Sequence, residues 1–565
     1  MREFEDVCLQ TPFLLLGRNY EKMFVQHKIL FIWLLFLVMS VVIIYITDLA
    51  NGHIWSYLDL DTDGRFHVLR IEGLYQSLKH GQFFPVVNMS FMNGFGYIAN
   101  IFYADLWLYP AAILRLFGLT TAQAFVTYYV ILNFSTFLIA FYTYRYVSHN
   151  DAKSLLFSFV YTLSAYRIFD MVRRFDIGET LTLTFLPIVI LGIYEIFYAD
   201  ADKWKILAFG MVMVIYAHAL SPILIGIFIF FVILFRLKNL FKEPQRIIKL
   251  IYAGLLAGAL SLAYFLPIFE QLHQTEFKLT SPLIDIAQRS NSFKDILVWS
   301  FTNNLYQEGI GLVCIAIGLI IPFAIWKEKN VAVRDFAVIG EIFLIMTTKF
   351  FPWKILENTP LKIIQFPWRL NMLITILFSI FLVADPLHLF EKRQLQIIFL
   401  GLVVMLTLTS EAILIKNYSN EYDTYTTFDH LDSYSIGSGE EYLPRNANLA
   451  RLRLTPHVPT VAKGTIKITD FEQNGSQLSF NFTNAKGAKI NLPIIGYYGY
   501  SSRKSLGNVS PLKMNLKTGL GQVTLNGQGI VRVEYVQTWI QKCSRIVSIS
   551  SLLVLLITCY IRKKE

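Results

Sequence analysis

Cysteine is scarce in this 565-residue chain. The four present, Cys8, Cys314, Cys543 and Cys559, fall into no metal-ligand spacing and no disulfide framework, which excludes a zinc-ribbon or disulfide-stapled scaffold. The ten histidines include no His-x-x-x-His pair, so a zincin-type metal helix is excluded as well. Charged residues are also few, at 16%. That is low for a soluble enzyme and argues against one soluble domain. No internal repeat or low-complexity tract is evident, nor a pair of broken helices of the kind inverted-repeat transporters show. The first apolar run, residues 29 to 48, is too long for a signal-peptide core and lacks a small-residue cleavage site, so it reads as a membrane anchor.

What the chain has in quantity is apolar and aromatic surface. It is 55% hydrophobic and carries 47 Phe and 30 Tyr, a composition suited to a many-spanning bundle with interfacial aromatic belts. Cutting the apolar runs at about 20 residues gives about twelve transmembrane helices, near 29 to 48, 122 to 144, 153 to 168, 179 to 199, 204 to 220, 222 to 237, 249 to 269, 308 to 326, 333 to 349, 369 to 386, 395 to 416 and 543 to 561. With that number the basic loops around Lys28, Arg145, Lys153, Lys203, Arg236, Lys249, Lys327, Lys392 and Arg562 all fall on one side, which the positive-inside rule makes cytoplasmic. The net charge of +10 is therefore topology, not nucleic-acid binding. The segment Asp105 to Leu119 would invert every later loop if it spanned, so it reads as an external helix lying in the interface.

The expected fold is mainly α, with four parts. Residues 1–28 form a cytoplasmic arm; 29–416 form the membrane module, with a large external loop at 49–121. Residues 417–540 alternate like short strands between Asn-Gly, Lys-Gly and Asn-Gly-Gln-Gly turns, and read as an external β-sandwich. The last span and a basic cytoplasmic tail occupy 541–565.

Ionisable residues gather at the external mouth. The first loop carries Asp59, Asp61 and Asp63, and a helix over 64 to 80 would put His67 and Arg70 on one face with Asp63 at its start. The plainer alternative is that Asp63 or Thr62 merely caps this helix. The loop after the third span supplies Arg167, Asp170, Arg173, Arg174, Asp176 and Glu179. Arginine forks suit phosphate oxygens, and Glu179 suits a metal site or the orientation of a base; snorkelling arginines and a helix-start Glu are the alternative. His218 at a hairpin tip and Arg369 in Gln365-Phe-Pro-Trp-Arg369 open on the same side. Glu341, mid-span, is costly and has no evident partner.

These motifs resemble a bacterial membrane family labelled pyruvoyl-tetrahydropterin synthase-related, itself similar to the C-type (GT-C) glycosyltransferases. The resemblance rests on Asp63-x-x-x-His67-x-x-Arg70-Ile-Glu72-Gly73, Gly94-x-Gly96, Phe102-Tyr103, Tyr166-Arg167, Arg174, Gly178-Glu179, His218-x-x-Ser221, Gln365-Phe-Pro-Trp-Arg369 and Glu441-Tyr-Leu-Pro444. The soluble synthase's histidine zinc site has no counterpart here. The resemblance implies an inverting transferase in the bacterial plasma membrane, with both termini cytoplasmic and its active face external. It would move a sugar from a polyprenyl-phosphate donor to a hydroxyl of an envelope glycan, glycolipid or protein.

On that reading Asp63, His67 and Glu179 are catalytic, Asp63 as general base, although Asp59 and Asp61 compete for the role. Arg70, Arg173, Arg174, His218 and Arg369 bind substrate, and Asp61 with Glu179 holds a divalent cation, Mg or Mn. Two other classes stay open. A lipid or polysaccharide transporter would line its interior with ionisable groups, and a non-catalytic assembly protein would bind glycan through its β-domain.

Overall fold

The computed structural model describes residues 27–45, 63–280, 285–421, 432–437 and 439–562. Among these, seven helices are long and apolar enough to cross a bilayer: His27–Tyr45, Thr121–Ser148, Ile177–Tyr198, Ser221–Lys242, Pro367–Ala384, Arg393–Asn417 and Trp539–Thr558. Two bent pairs raise the number to nine if each is one span. These are Asp151–Thr162 with Ala165–Arg174, bent by 48°, and Gln245–Leu260 with Leu262–Gln274, bent by 68°. Broken helices were not expected from the sequence, because both pairs read there as continuous apolar runs. The other three expected spans fall on helices of 11, 14 and 16 residues, Lys205–Ile215, Gly311–Ala324 and Val331–Met346. Each is shorter than the roughly 20 residues a straight crossing needs.

Local chemistry explains the element limits. Thr120 and Gln123 form a reciprocal capping box at the start of Thr121–Ser148. Asn150 accepts the amides of Ala152 and Lys153 and so restarts the chain after the left-handed His149. Pro187 inside Ile177–Tyr198 cannot donate to the Leu183 carbonyl, and the Tyr161 hydroxyl donates there instead. Tyr109–Leu116 is a short helix that packs on Gly64–Lys79, tied by Arg115 to Glu72 at 3.1 Å.

The chain after residue 459 forms seven strands: β1 Thr460–Lys463, β2 Lys467–Asn474, β3 Gln477–Ile495, β4 Tyr500–Ser501, β5 Leu506–Val509, β6 Lys513–Met514 and β7 Leu520–Tyr535. All are antiparallel and joined into one sheet around the β3–β7 pair, where two facing sheets were expected. The Lys486-Gly487 and Asn526-Gly527-Gln528-Gly529 stretches taken for turns lie inside β3 and β7, at register shifts. Glycine at positive φ lets two long strands bend there without breaking. The sheet shares a core with the first loop, where Phe91, Phe95, Tyr97 and Phe102 join Phe480, Ile490 and Leu525. The Ile495 amide donates to the Phe95 carbonyl at 3.0 Å.

Ion pairs mark the two ends of the bundle. Lys28 and Arg145 meet Asp151, Lys203 meets Glu195, Lys249 meets Asp202 and Arg236 meets Asp335, all at one end. The opposite end holds Asp63, Asp176, Glu179, His218 and Arg369.

Candidate active site

The site is built where the bent pair turns into the next helix. Phe169–Arg174 winds as a π-helix, a geometry that recurs at functional sites. It ends at Phe175, a bulky residue held at φ +53, where only glycine is unstrained. That reversal sets Asp176 in extended backbone as the N-cap of Ile177–Tyr198. Its Oδ1 accepts the amides of Gly178 at 2.9 Å and Glu179 at 3.1 Å. The helix start thus presents its positive end and the Glu179 side chain to the same place.

Arg174 is the hub. It lies 2.6 Å from Asp170, 3.0 Å from Glu179, 3.1 Å from Asp176 and 3.5 Å from Asp63, with its guanidinium 4.7 Å from the centre of the Trp368 ring. Arg369 donates to the other Glu179 oxygen at 2.7 Å, and the Tyr166 hydroxyl donates to the first at 3.0 Å. Four carboxylates therefore face two guanidiniums. Three of the four are buried, with side-chain exposures of 0%, 6% and 2% for Asp170, Asp176 and Glu179, whereas Asp63 is 50% exposed. Asp63 is the carboxylate of this group that an incoming molecule can reach.

Asp63 occupies the N-cap position of Gly64–Lys79, yet its side chain makes no capping bond. Asp63 is therefore not the cap, its carboxylate pointing to Arg174 instead, and Thr62, the other candidate, lies outside the described residues. Protein surrounds it despite the open face. That burial lifts its pKa to about 6, with Arg174 opposing the rise and Asp176 adding to it.

His67 and Arg70 share a helix face as their spacing predicts, but they face different jobs. Arg70 is buried, and its Nη2 donates to the carbonyls of Tyr103 and Ala104 and to Asp105 at 2.7 to 2.9 Å. Its guanidinium stacks 4.2 Å from the Tyr103 ring centre. Substrate binding was expected of Arg70; its Nη2 is occupied by the loop it holds. The His67 Nδ1 sits 3.1 Å from Arg70 Nη1; since arginine offers no acceptor, that nitrogen is unprotonated. The proton is left on Nε2, which faces Asp176 Oδ1 at 3.6 Å. Burial lowers the His67 pKa to about 4 against the pull of Asp176, so the imidazole is neutral at pH 7. Burial also works against Asp176 ionisation, but His67 and Arg174 outweigh it and hold that carboxyl well below the usual range.

His218 is buried, with Nδ1 2.7 Å from the Ser221 hydroxyl. One donor atom each from Asp176, Glu179 and His218 lie within 4.8 Å of one another. Two acids and an imidazole in that compass fit a divalent cation, and the excess of carboxylate over guanidinium favours one. An Nδ1–H bond to Ser221 would leave His218 Nε2 as the ligand atom. Asp61, expected as a ligand, lies outside the described residues, as does Asp59. Arg173 places its guanidinium 4.6 Å from the centre of the Tyr306 ring.

Sequence reasoning named Asp176 among the loop's acids but gave it no role, although most of the site refers to it. Its signal was there: an aspartate two residues before a Gly-Glu helix start is a capping pattern. It also left without a role Tyr103, whose hydroxyl donates to Asp176 Oδ1 at 3.2 Å and whose ring lies edge-on to His67. Glycine at 178 makes room for it, since a Cβ there would come within 1.8 Å of the Tyr103 oxygen.

No protein-family profile matches the chain, and no curated protein matches it. Among solved structures it is similar to the arabinofuranosyltransferase AftD from mycobacteria, determined by cryo-electron microscopy. The superposition has a TM-score of 0.38 at 13% identity, over 67% of this chain and 26% of that one. The chain thus spans about a quarter of that protein's length, and so loose a superposition fixes neither fold nor activity.

Proposed function

We propose that the protein is a membrane glycosyltransferase that moves a sugar from a polyprenyl-phosphate donor to a hydroxyl of an envelope glycan, glycolipid or protein. One observation carries the reading: a reachable carboxylate, Asp63, stands at the edge of a buried, acid-rich centre at one end of a membrane bundle. In this scheme Asp63 takes the acceptor's hydroxyl proton as that oxygen bonds to the anomeric carbon. The bond from that carbon to the phosphate oxygen breaks on the opposite face, inverting the configuration. A pKa near 6 suits the task, because the carboxylate is ionised at neutral pH and still a stronger base than an ordinary aspartate.

Asp176, Glu179 and His218 would hold the divalent cation, Mg or Mn, whose charge would ease departure of the phosphate. Arg174 and Arg369 keep the carboxylates in place. His67, neutral and fixed by Arg70, orients Asp176 and does not serve as a base. The site end is external on this reading, and the basic end cytoplasmic.

A transport reading has one observation on its side: the carboxyl groups of Glu341 and Glu411, within the helix bundle, have oxygens with no hydrogen-bond partner among the described residues. The two are separated by mass spectrometry of envelope glycans and glycolipids from cells making wild type, Asp63→Asn or neither at matched membrane levels. A sugar-sized mass gain that needs Asp63 supports transfer. Identical glycans in wild type and variant would remove Asp63 from catalysis and favour transport.

A further inference from the structure

A cavity of about 470 Å³ lies at the basic end of the bundle, away from the candidate active site. On the helix they share, Glu179 is 8 residues from Pro187 and 15 from Tyr194, which puts the cavity roughly 12 to 22 Å from the acidic centre at 1.5 Å per residue. Its walls come from five helices. Phe157, Pro187, Ile190, Phe336 and Ile380 make the deep part apolar, and polar groups collect at the mouth, where Asn150, Lys153, Glu328 and Asn330 sit on the turns that start helices. From Ala384 at the mouth to Ile376 at depth is eight residues of helix, roughly 12 Å.

The mouth carries a cation. Lys153 forms no ion pair among the described residues, and its Nζ donates to the Ala384 carbonyl at 3.2 Å. Beside it Lys28 and Arg145 share the single carboxylate of Asp151. Glu328 is the one acid among the described lining residues, and it accepts the Asn330 amide at 2.7 Å. Tyr144 and Tyr194 also line the cavity. A small soluble anion would find a charge here but no use for the apolar depth. A hydrocarbon chain would fill the depth, and a phosphate attached to it would reach Lys153.

We propose that this cavity holds one chain of an anionic membrane phospholipid, with the phosphate at Lys153. The site belongs to the leaflet at the basic end and does not depend on the sugar-transfer reading. Its effect would be to link occupancy, and with it the stability of the bundle, to the anionic lipid content of that leaflet.

The test uses purified full-length protein with phosphatidylglycerol or phosphatidylcholine bearing a diazirine near the end of one chain. After irradiation and digestion, label is expected on the 187–194 and 376–384 peptides, about fivefold more from phosphatidylglycerol. Label confined to exposed helix faces, such as those of Ile398 and Met405, would overturn the proposal. Ile380→Trp should fill the cavity and remove the label, whereas equal labelling of this variant would show that no chain enters. Lys153→Gln should keep the label and lose the fivefold preference; a preference that survives would overturn the headgroup assignment. The labelling of unmodified protein decides the matter even if a variant fails to fold.

Discussion

The two ends of the bundle use charge in opposite ways. At the basic end the pairs are partly wet: Lys28 and Asp151 keep 52% and 25% of their side chains exposed, and Lys249 and Asp202 keep 26% and 79%. At the acidic end Arg174 is 14% exposed and three of its four carboxylate partners are nearly sealed. Exposed pairs contribute from nothing to about 1 kcal/mol, whereas a buried charge left without its partner costs several. A chain that needed charge only for orientation in the membrane would have no use for the second arrangement. On the proposed reading the acidic end is where the chemistry would be done.

The comparison sharpens first on Arg174. Replacing it with Met should cost about 3–5 kcal/mol in denaturant unfolding, because three buried carboxylates lose their common partner. Gly178→Ala comes next, at about 1–3 kcal/mol, since the new methyl meets the Tyr103 hydroxyl and pushes it off Asp176. At the other end Lys28→Met should change stability by no more than about 1 kcal/mol, and raised salt should erase the difference. A loss for Lys28→Met equal to that of Arg174→Met would break the contrast.

Asp63 adds a pH test in which stability and activity move in opposite directions. Its folded pKa, about 6, lies above the ordinary 3.8, so the ionised form is the disfavoured one in the folded chain. The group's contribution to stability is full below pH 4 and is lost as pH rises to about 6. Transfer needs the ionised form, so its rate should climb over the same window and level off above it. Asp63→Asn should remove its share of the stability slope, which unfolding midpoints between pH 4 and 7 would show.

Much of this was legible in the residues. Hydropathy located seven helices of spanning length, and the spacing of His67 and Arg70 placed them on one face, 3.1 Å apart at their nearest nitrogens. Periodicity could not show that 151–174 breaks at Leu163, because apolar composition runs through the bend. Nor could it show that Gly487 and Gly527 bend strands where turns were expected, since a positive-φ glycine serves both. The acids and arginines were found as a set, but their partners were not. Arg70 and Arg174 look alike in the sequence. Only the fold shows that Arg70 reaches a distant loop at 103–105, while Arg174 gathers Asp170, Asp176 and Glu179 from its own stretch and Asp63 from far along the chain.

The most direct measurement is release of polyprenyl phosphate from a radiolabelled polyprenyl-phosphate sugar by the purified protein in liposomes, with Mg or Mn and an envelope extract as acceptor. Wild type should release it with transfer of label, and Asp63→Asn should be slower by about a hundredfold to ten-thousandfold with unchanged folding. Equal rates for the two proteins would contradict the account.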